Sequence, residues 1–124
     1  MTFMQKFLGA TAAMALSAGA ALAEPALIFD LGGKFDKSFN EAAFNGAQRW
    51  ADETGNTFRE IELQSEAQRE QALRRFAEAG ANPIVMAGFA FADALGQVAA
   101  DYPGTKFTII DMVVDAPNVR SVVF

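Results

Sequence analysis

Six residues of this 124-residue chain stand where binding chemistry could occur: Asp30, Phe39, Asn40, Gly88, Phe89 and Asp111. Asp30 closes the apolar run Ala26-Leu27-Ile28-Phe29 and leads through Gly32-Gly33 into Asp36-Lys37-Ser38-Phe39-Asn40. Gly88 and Phe89 follow Pro83–Ala87, and Asp111 follows Phe107-Thr108-Ile109-Ile110. Carboxylates accept hydrogen bonds from hydroxyl and amino groups, and aromatic rings stack on planar or apolar ligand surface. The set suits an uncharged, planar, hydroxyl-bearing ligand better than a phosphate. It offers little to catalysis. With no His and no Cys, Ser/His/Asp and Cys/His nucleophile sets and thiolate metal sites are excluded. Acid–base work by an Asp30–Asp111 pair stays open, because perturbed carboxylates can do it. No metal, cofactor or catalytic residue is expected.

Other chemistries fit poorly. Gly32-Gly33 belongs to neither GxGxxG nor GxxxxGK[ST], so it does not read as a phosphate cradle. Asp30-Leu31-Gly32 lacks the second carboxylate of an aspartyl-nucleophile phosphatase. Ile109-Ile110-Asp111-Met112 is superficially like a phospho-accepting strand end, but an exported chain is the wrong setting. Acidic residues outnumber basic ones 15 to 10, and no basic patch is visible, which argues against nucleic acid as a partner.

The residues that position this set alternate between strand and helix patterns. Ala26–Leu31 reads as strand one. Phe39–Thr54 reads as helix one, with Ala43, Ala47, Trp50 and Ala51 on its inner face and Gly55 as its stop. Ser38 with Glu41 fits a capping box, and Ser65 with Gln68 repeats the pattern before helix two. Thr57–Leu63 is a more exposed second strand. Ala72, Leu73, Phe76 and Ala77 face inward from helix two, which Gly80 stops. Pro83–Ala87 is strand three and Phe91–Tyr102 helix three. Lys106–Met112, apolar nearly throughout, reads as a central strand buried on both faces. Arg120–Phe124 starts a fifth. The fold class is α/β: a three-layer αβα parallel sheet with right-handed crossovers, whose ligands belong at the strand carboxyl ends.

Met1–Ala23 reads as a secretory signal peptide: Lys6 in a short n-region, an apolar run rich in Ala and Leu, then Ala21-Leu22-Ala23 before Glu24-Pro25. A transmembrane anchor is the alternative, disfavoured by a run that is short and dominated by Ala and Gly. Residues 24–124 then form one small domain. A lipoprotein anchor needs Cys, so the expected location is the periplasm.

Bland readings stand beside the functional ones. Asp30 could cap the turn or bind a nearby backbone N–H. Phe39 could be a hydrophobic staple beside the helix cap, and Gly88 could serve only a tight strand-to-helix turn. Asp111 is more specific, because a carboxylate directly after Phe107–Ile110 is costly without a partner or water. Asp52-Glu53, Glu60-Glu62 and Glu66-Arg69-Glu70 read as solvated faces with helical charge pairs.

Phe29-Asp30-Leu31-Gly32-Gly33, Asp36-Lys37-Ser38-Phe39-Asn40 and Ala43-Phe44-Asn45-Gly46 together resemble the N-terminal signature of the basic membrane protein (BMP/PnrA-like) family. The likeness continues through Ile84–Phe89 and Lys106–Asp111. It implies a substrate-binding protein of an ABC importer with the type I periplasmic-binding-protein fold. The implied ligand is a purine nucleoside or similar small molecule, and the implied partners are permease and ATPase subunits at the inner membrane. In nucleoside-binding members the matching positions line the purine pocket. Phe39 would stack on the base, Asp30 and Asn40 would bond its edges, Asp111 would accept from polar groups, and Gly88-Phe89 would form a wall. The family is bilobed, and this chain matches its N-terminal lobe only. The resemblance therefore implies a truncated fragment with an incomplete lobe, its sheet edge open near Lys106–Met112 or Arg120–Phe124. Two alternatives stay beside it: a non-functional relic, or an exported enzyme using Asp30 and Asp111.

Overall fold

The computed structural model describes residues 23–124, so the expected signal segment lies outside the described residues except for Ala23. Five strands form one parallel sheet in the order β2-β1-β3-β4-β5: β1 Ala26–Phe29, β2 Arg59–Glu62, β3 Ile84–Ala87, β4 Phe107–Ile110 and β5 Val119–Val122. Helix α1 (Phe39–Thr54) joins β1 to β2, and α2 (Gln68–Glu78) joins β2 to β3. The chain moves in opposite directions along the sheet in these two steps, so right-handed crossovers place α1 on one face and α2 on the other. Helix α3 (Ala92–Val98) shares the α2 face. There Leu73 and Ala77 of α2 and Leu95 and Val98 of α3 close a core over Ile28, Ile84, Met86, Phe107 and Ile109.

The three-layer expectation therefore holds, with local differences. Helix three is a 3-10 turn (Phe89–Phe91), seven α residues and a second 3-10 turn (Ala99–Asp101), the tighter winding that commonly ends short helices. Strand β4 is interior but not buried on both faces. Phe107 and Ile109 are buried on the α2/α3 face, while Thr108 and Ile110 are only partly covered, because among the described residues α1 is the one helix on the opposite face. Among the described residues the strand outside β4 is β5, and the other outer strand is β2, whose Arg59, Glu60 and Glu62 are charged as suits an edge strand. On α1, the expected inner residues Ala43, Ala47 and Ala51 are only partly buried and Trp50 is exposed.

The helix caps also differ. Ser38 makes no side-chain cap bond. Asp36 takes that role: Oδ1 accepts from the N–H groups of Ser38 and Glu41 at 2.8 and 3.1 Å, and Oδ2 from that of Asn40 at 3.3 Å. Glu41 accepts from Lys37 N–H at 3.1 Å instead of closing a box with Ser38. Gln68 reaches back to Gln64 N–H at 2.7 Å, and Ser65 contributes its carbonyl, not its hydroxyl.

Candidate functional site

The strand registers assemble the site. Phe29, Ala87 and Ile110 lie on one rung across β1, β3 and β4. The next residues, Asp30, Gly88 and Asp111, therefore emerge side by side at the carboxyl edge. Adjacent strands are about 4.8 Å apart, which separates the two aspartates' backbones by roughly 10 Å. Connections leave β1 and β3 toward opposite faces, so a crevice opens between them, the position where open α/β sheets receive ligands. All six expected residues line one shallow hollow of about 170 Å³ there, with Leu31, Asp36, Ala87 and Ala90.

Each residue has a distinct state. Phe39, in the first turn of α1, is 46% exposed, and Phe89 is 64% exposed, so neither ring is used up in the core. Gly88 has φ 121° and ψ 156°, a conformation essentially restricted to glycine, while a Cβ there would sit 4.0 Å from Asp30 Oδ2, ordinary contact. The backbone, not space, demands the glycine. Asp111 occupies the left-handed region at φ 69°, tolerated by Asp better than by most residues. Its N–H donates to Val122 C=O at 2.7 Å. No hydrogen bond to its carboxylate occurs among the described residues.

Asn40 departs from the expected ligand contact. It is 2% exposed. Its Oδ1 accepts Asp30 N–H at 3.0 Å, while Nδ2 donates to the carbonyls of Asp30 and Gly33 at 3.0 and 3.1 Å. The side-chain amide acts as a substitute peptide group that ends β1 and shapes the Gly32-Gly33 turn. Both its donors are spent, so it holds the site's backbone in place. Asp36, at the rim, is spent likewise. Burial works against its charged form, but the N–H groups of Glu41, Ser38 and Asn40 outweigh that and hold its carboxyl below the ordinary value.

The site residue that the sequence patterns did not disclose is Arg69. Its Nε donates to Asp30 Oδ1 at 3.0 Å and its terminal NH2 to Oδ2 at 3.3 Å. Alternation along β1 turns Asp30, like Ile28, toward the α2 side, where Arg69 waits in the first turn of α2. Neither the turn-cap nor the solvated-face reading survives for this pair. One signal was present: a cation in a helix's first turn opposes the helix dipole and calls for a tertiary partner.

A larger hollow, about 500 Å³, lies on the α1 face over Leu27, Val85 and Ile110, walled by Ala43, Gly46 and Trp50. It is nearly all apolar and lacks groups that could orient a polar ligand. The strand-end hollow is smaller but carries the convergent acceptors and aromatics that ligand sites need.

The family model for "Bmp: ABC transporter substrate-binding protein PnrA-like" matches residues 24–124. An uncharacterized lipoprotein of Pyrococcus furiosus is 39% identical over 90 residues, 69% of this chain and 22% of the relative. The ABC transporter nucleoside-binding protein BmpA of Lactococcus lactis is 30% identical over 106 residues, 80% of this chain and 30% of the relative. Among solved structures, an ABC transporter solute-binding protein of Aeropyrum pernix superposes with a TM-score of 0.76 at 34% identity, over 82% of this chain and 28% of the other. The chain thus spans under a third of the length of these relatives. Motif, parallel sheet order and matched span agree: the chain belongs to the Bmp family of PnrA-like ABC transporter substrate-binding proteins.

Proposed function

We propose that this chain is the ligand-receiving first lobe of a substrate-binding protein for an ABC importer, and that its ligand is a purine nucleoside or a close analogue. One observation carries the reading: a single strand-end hollow unites the six residues, with the Phe39 ring open and the Asp111 carboxylate free of protein hydrogen bonds among the described residues. Phe39 stacks on the base, Asp111 accepts from its N–H or hydroxyl groups, and Gly88-Phe89 forms the flanking wall. Asp30 offers an acceptor edge, and Asn40 supports it from behind. The nucleoside-binding relative of L. lactis supports the ligand class.

The hollow is smaller than the ~300–1,000 Å³ of ordinary small-molecule pockets. It is one wall of a site, and the opposing wall belongs to a second lobe of the kind that the longer relatives have room for. Closure of two lobes is then what permease and ATPase subunits at the inner membrane read. The activity is capture, not turnover. The proposed location is the periplasm, reached through the Met1–Ala23 leader. The family match starts at Glu24, which supports that division. The sequence contains no Cys to carry a lipid, whereas the P. furiosus relative is named a lipoprotein.

Titration of inosine, adenosine and guanosine into the isotope-labelled chain, followed by amide chemical shifts, tests the reading. Saturable shifts are expected at Asp30, Phe39, Gly88 and Asp111. Asp111→Asn and Phe39→Ala should each weaken binding by about tenfold, the equivalent of one lost contact of ~1.4 kcal/mol. The absence of shifts with every nucleoside, carried up to the millimolar concentrations that a one-walled site requires, sinks the ligand assignment.

A further inference from the structure

The two aspartates of the hollow are not electrostatic equals. Asp111 has no cation within salt-bridge distance among the described residues. Asp30 is gripped through both oxygens by Arg69, in a pair whose side chains are only 15% (Arg69) and 19% (Asp30) exposed. The guanidinium is itself held from a second side, 5.9 Å from the ring centroid of the buried Phe91. A planar guanidinium donating through two nitrogens fixes the plane of a carboxylate, which an ammonium cannot do. Asp36, the third carboxylate at the rim, faces backbone N–H groups at the positive end of α1.

We infer that Arg69 is a specificity-determining positioning residue of this site. Its fork makes Asp30 an oriented, charge-compensated acceptor and leaves Asp111 as the one uncompensated charge a ligand meets among the described residues of the hollow. Compensating Asp30 halves the carboxylate pull on a cationic ring and so shifts the site's preference toward a neutral one. Without Arg69, two bare carboxylates about 10 Å apart would flank the ligand and draw cations instead. The choice of nucleoside probes rests on the proposed function; the effect on Asp30 does not.

Two variants separate the parts. Arg69→Met keeps an apolar stem against Phe91 and removes charge and fork; Arg69→Lys keeps the charge and removes the fork. The first readout needs no ligand: Hα–Hβ couplings of Asp30 should show a single χ1 rotamer in the parent chain and averaging in both variants. The second is the affinity ratio between inosine, which is neutral, and nicotinamide riboside, a permanently cationic nucleoside. Arg69→Met should shift that ratio toward the cation by about tenfold, the scale of unit charges roughly 10 Å apart at an effective dielectric near 20. Arg69→Lys should leave the ratio unchanged. A single Asp30 rotamer retained in the variants overturns the inference, as does equal weakening of both probes in Arg69→Met. If the parent chain binds neither probe, the nucleoside reading falls and the couplings alone decide this one. If Arg69→Met loses its dispersed spectrum, the couplings in Arg69→Lys are decisive.

Discussion

Replacing Asn40 by alanine should unfold this chain more readily than any substitution at the exposed rim of its site. The side chain is 2% exposed and makes three hydrogen bonds, all to backbone groups: the N–H and C=O of Asp30 and the C=O of Gly33. Each such bond contributes about 1 kcal/mol net, and a partner left unsatisfied under cover costs at least as much. Asn40→Ala should therefore destabilise by about 3 kcal/mol, with water entering the gap reducing the figure and incomplete access raising it. For a domain near 100 residues that corresponds to a fall in Tm of roughly 12–24 °C. Asn40→Asp should be at least as damaging, because it points an acceptor at two carbonyl oxygens. Urea unfolding followed by far-UV circular dichroism reads the change as a shifted midpoint at constant slope. Phe39→Ala is the control, since that ring is nearly half exposed and its loss should cost less than about 1 kcal/mol. An Asn40→Ala variant within about 0.5 kcal/mol of its parent, the range of a neutral surface change, would refute the assignment of Asn40 as the peptide substitute ending β1.

Gly88→Ala should destabilise by about 1–3 kcal/mol, because φ 121° is closed to alanine although the space is open; an unchanged urea midpoint would contradict this. Gly46→Ala should do the reverse. Gly46 lies inside α1, and nothing stands within 4 Å of where an alanine Cβ would sit, so the substitution should stabilise by roughly 1 kcal/mol in the same assay. A lowered midpoint would count against that open helical surface. Asp36 has its carboxyl held below the ordinary value in the folded chain, so its contribution is present above that ordinary value and is lost as pH falls through the folded one. The stability gap between parent and Asp36→Ala should therefore narrow on acidification from neutral pH, and a gap that stays constant to the acid limit would contradict the cap.

Periodicity made the parallel sheet and the edge that gathers the candidate site residues legible, because the β1, β3 and β4 patterns are apolar runs that end in Asp30, Gly88 and Asp111. Once the strands are parallel, topology forces these ends together. What stayed hidden depends on side-chain direction rather than spacing. Ser38 satisfied a capping pattern that Asp36, two residues earlier, fulfils in space. Asn40 looked like a ligand contact because nothing local shows that β1 needs an amide to end it. Arg69 blended into a charged helix face, although its place in the first turn of α2 was unfavourable without the partner it finds 39 residues earlier. The half cover of β4 is not legible in its sequence, because an apolar run cannot reveal how many helices serve each face.

The strand-end edge between Asp30 and Asp111 has a larger, apolar rival among the described residues, the hollow on the α1 face. Intermolecular nuclear Overhauser contacts from the H2 and H8 protons of bound inosine distinguish them. If the strand-end edge receives the ligand, those protons should contact the Phe39 ring and the Gly88 α-protons. Contacts to Trp50, Val85 and Ile110, with none to Phe39, would place the ligand in the other hollow and overturn the assignment.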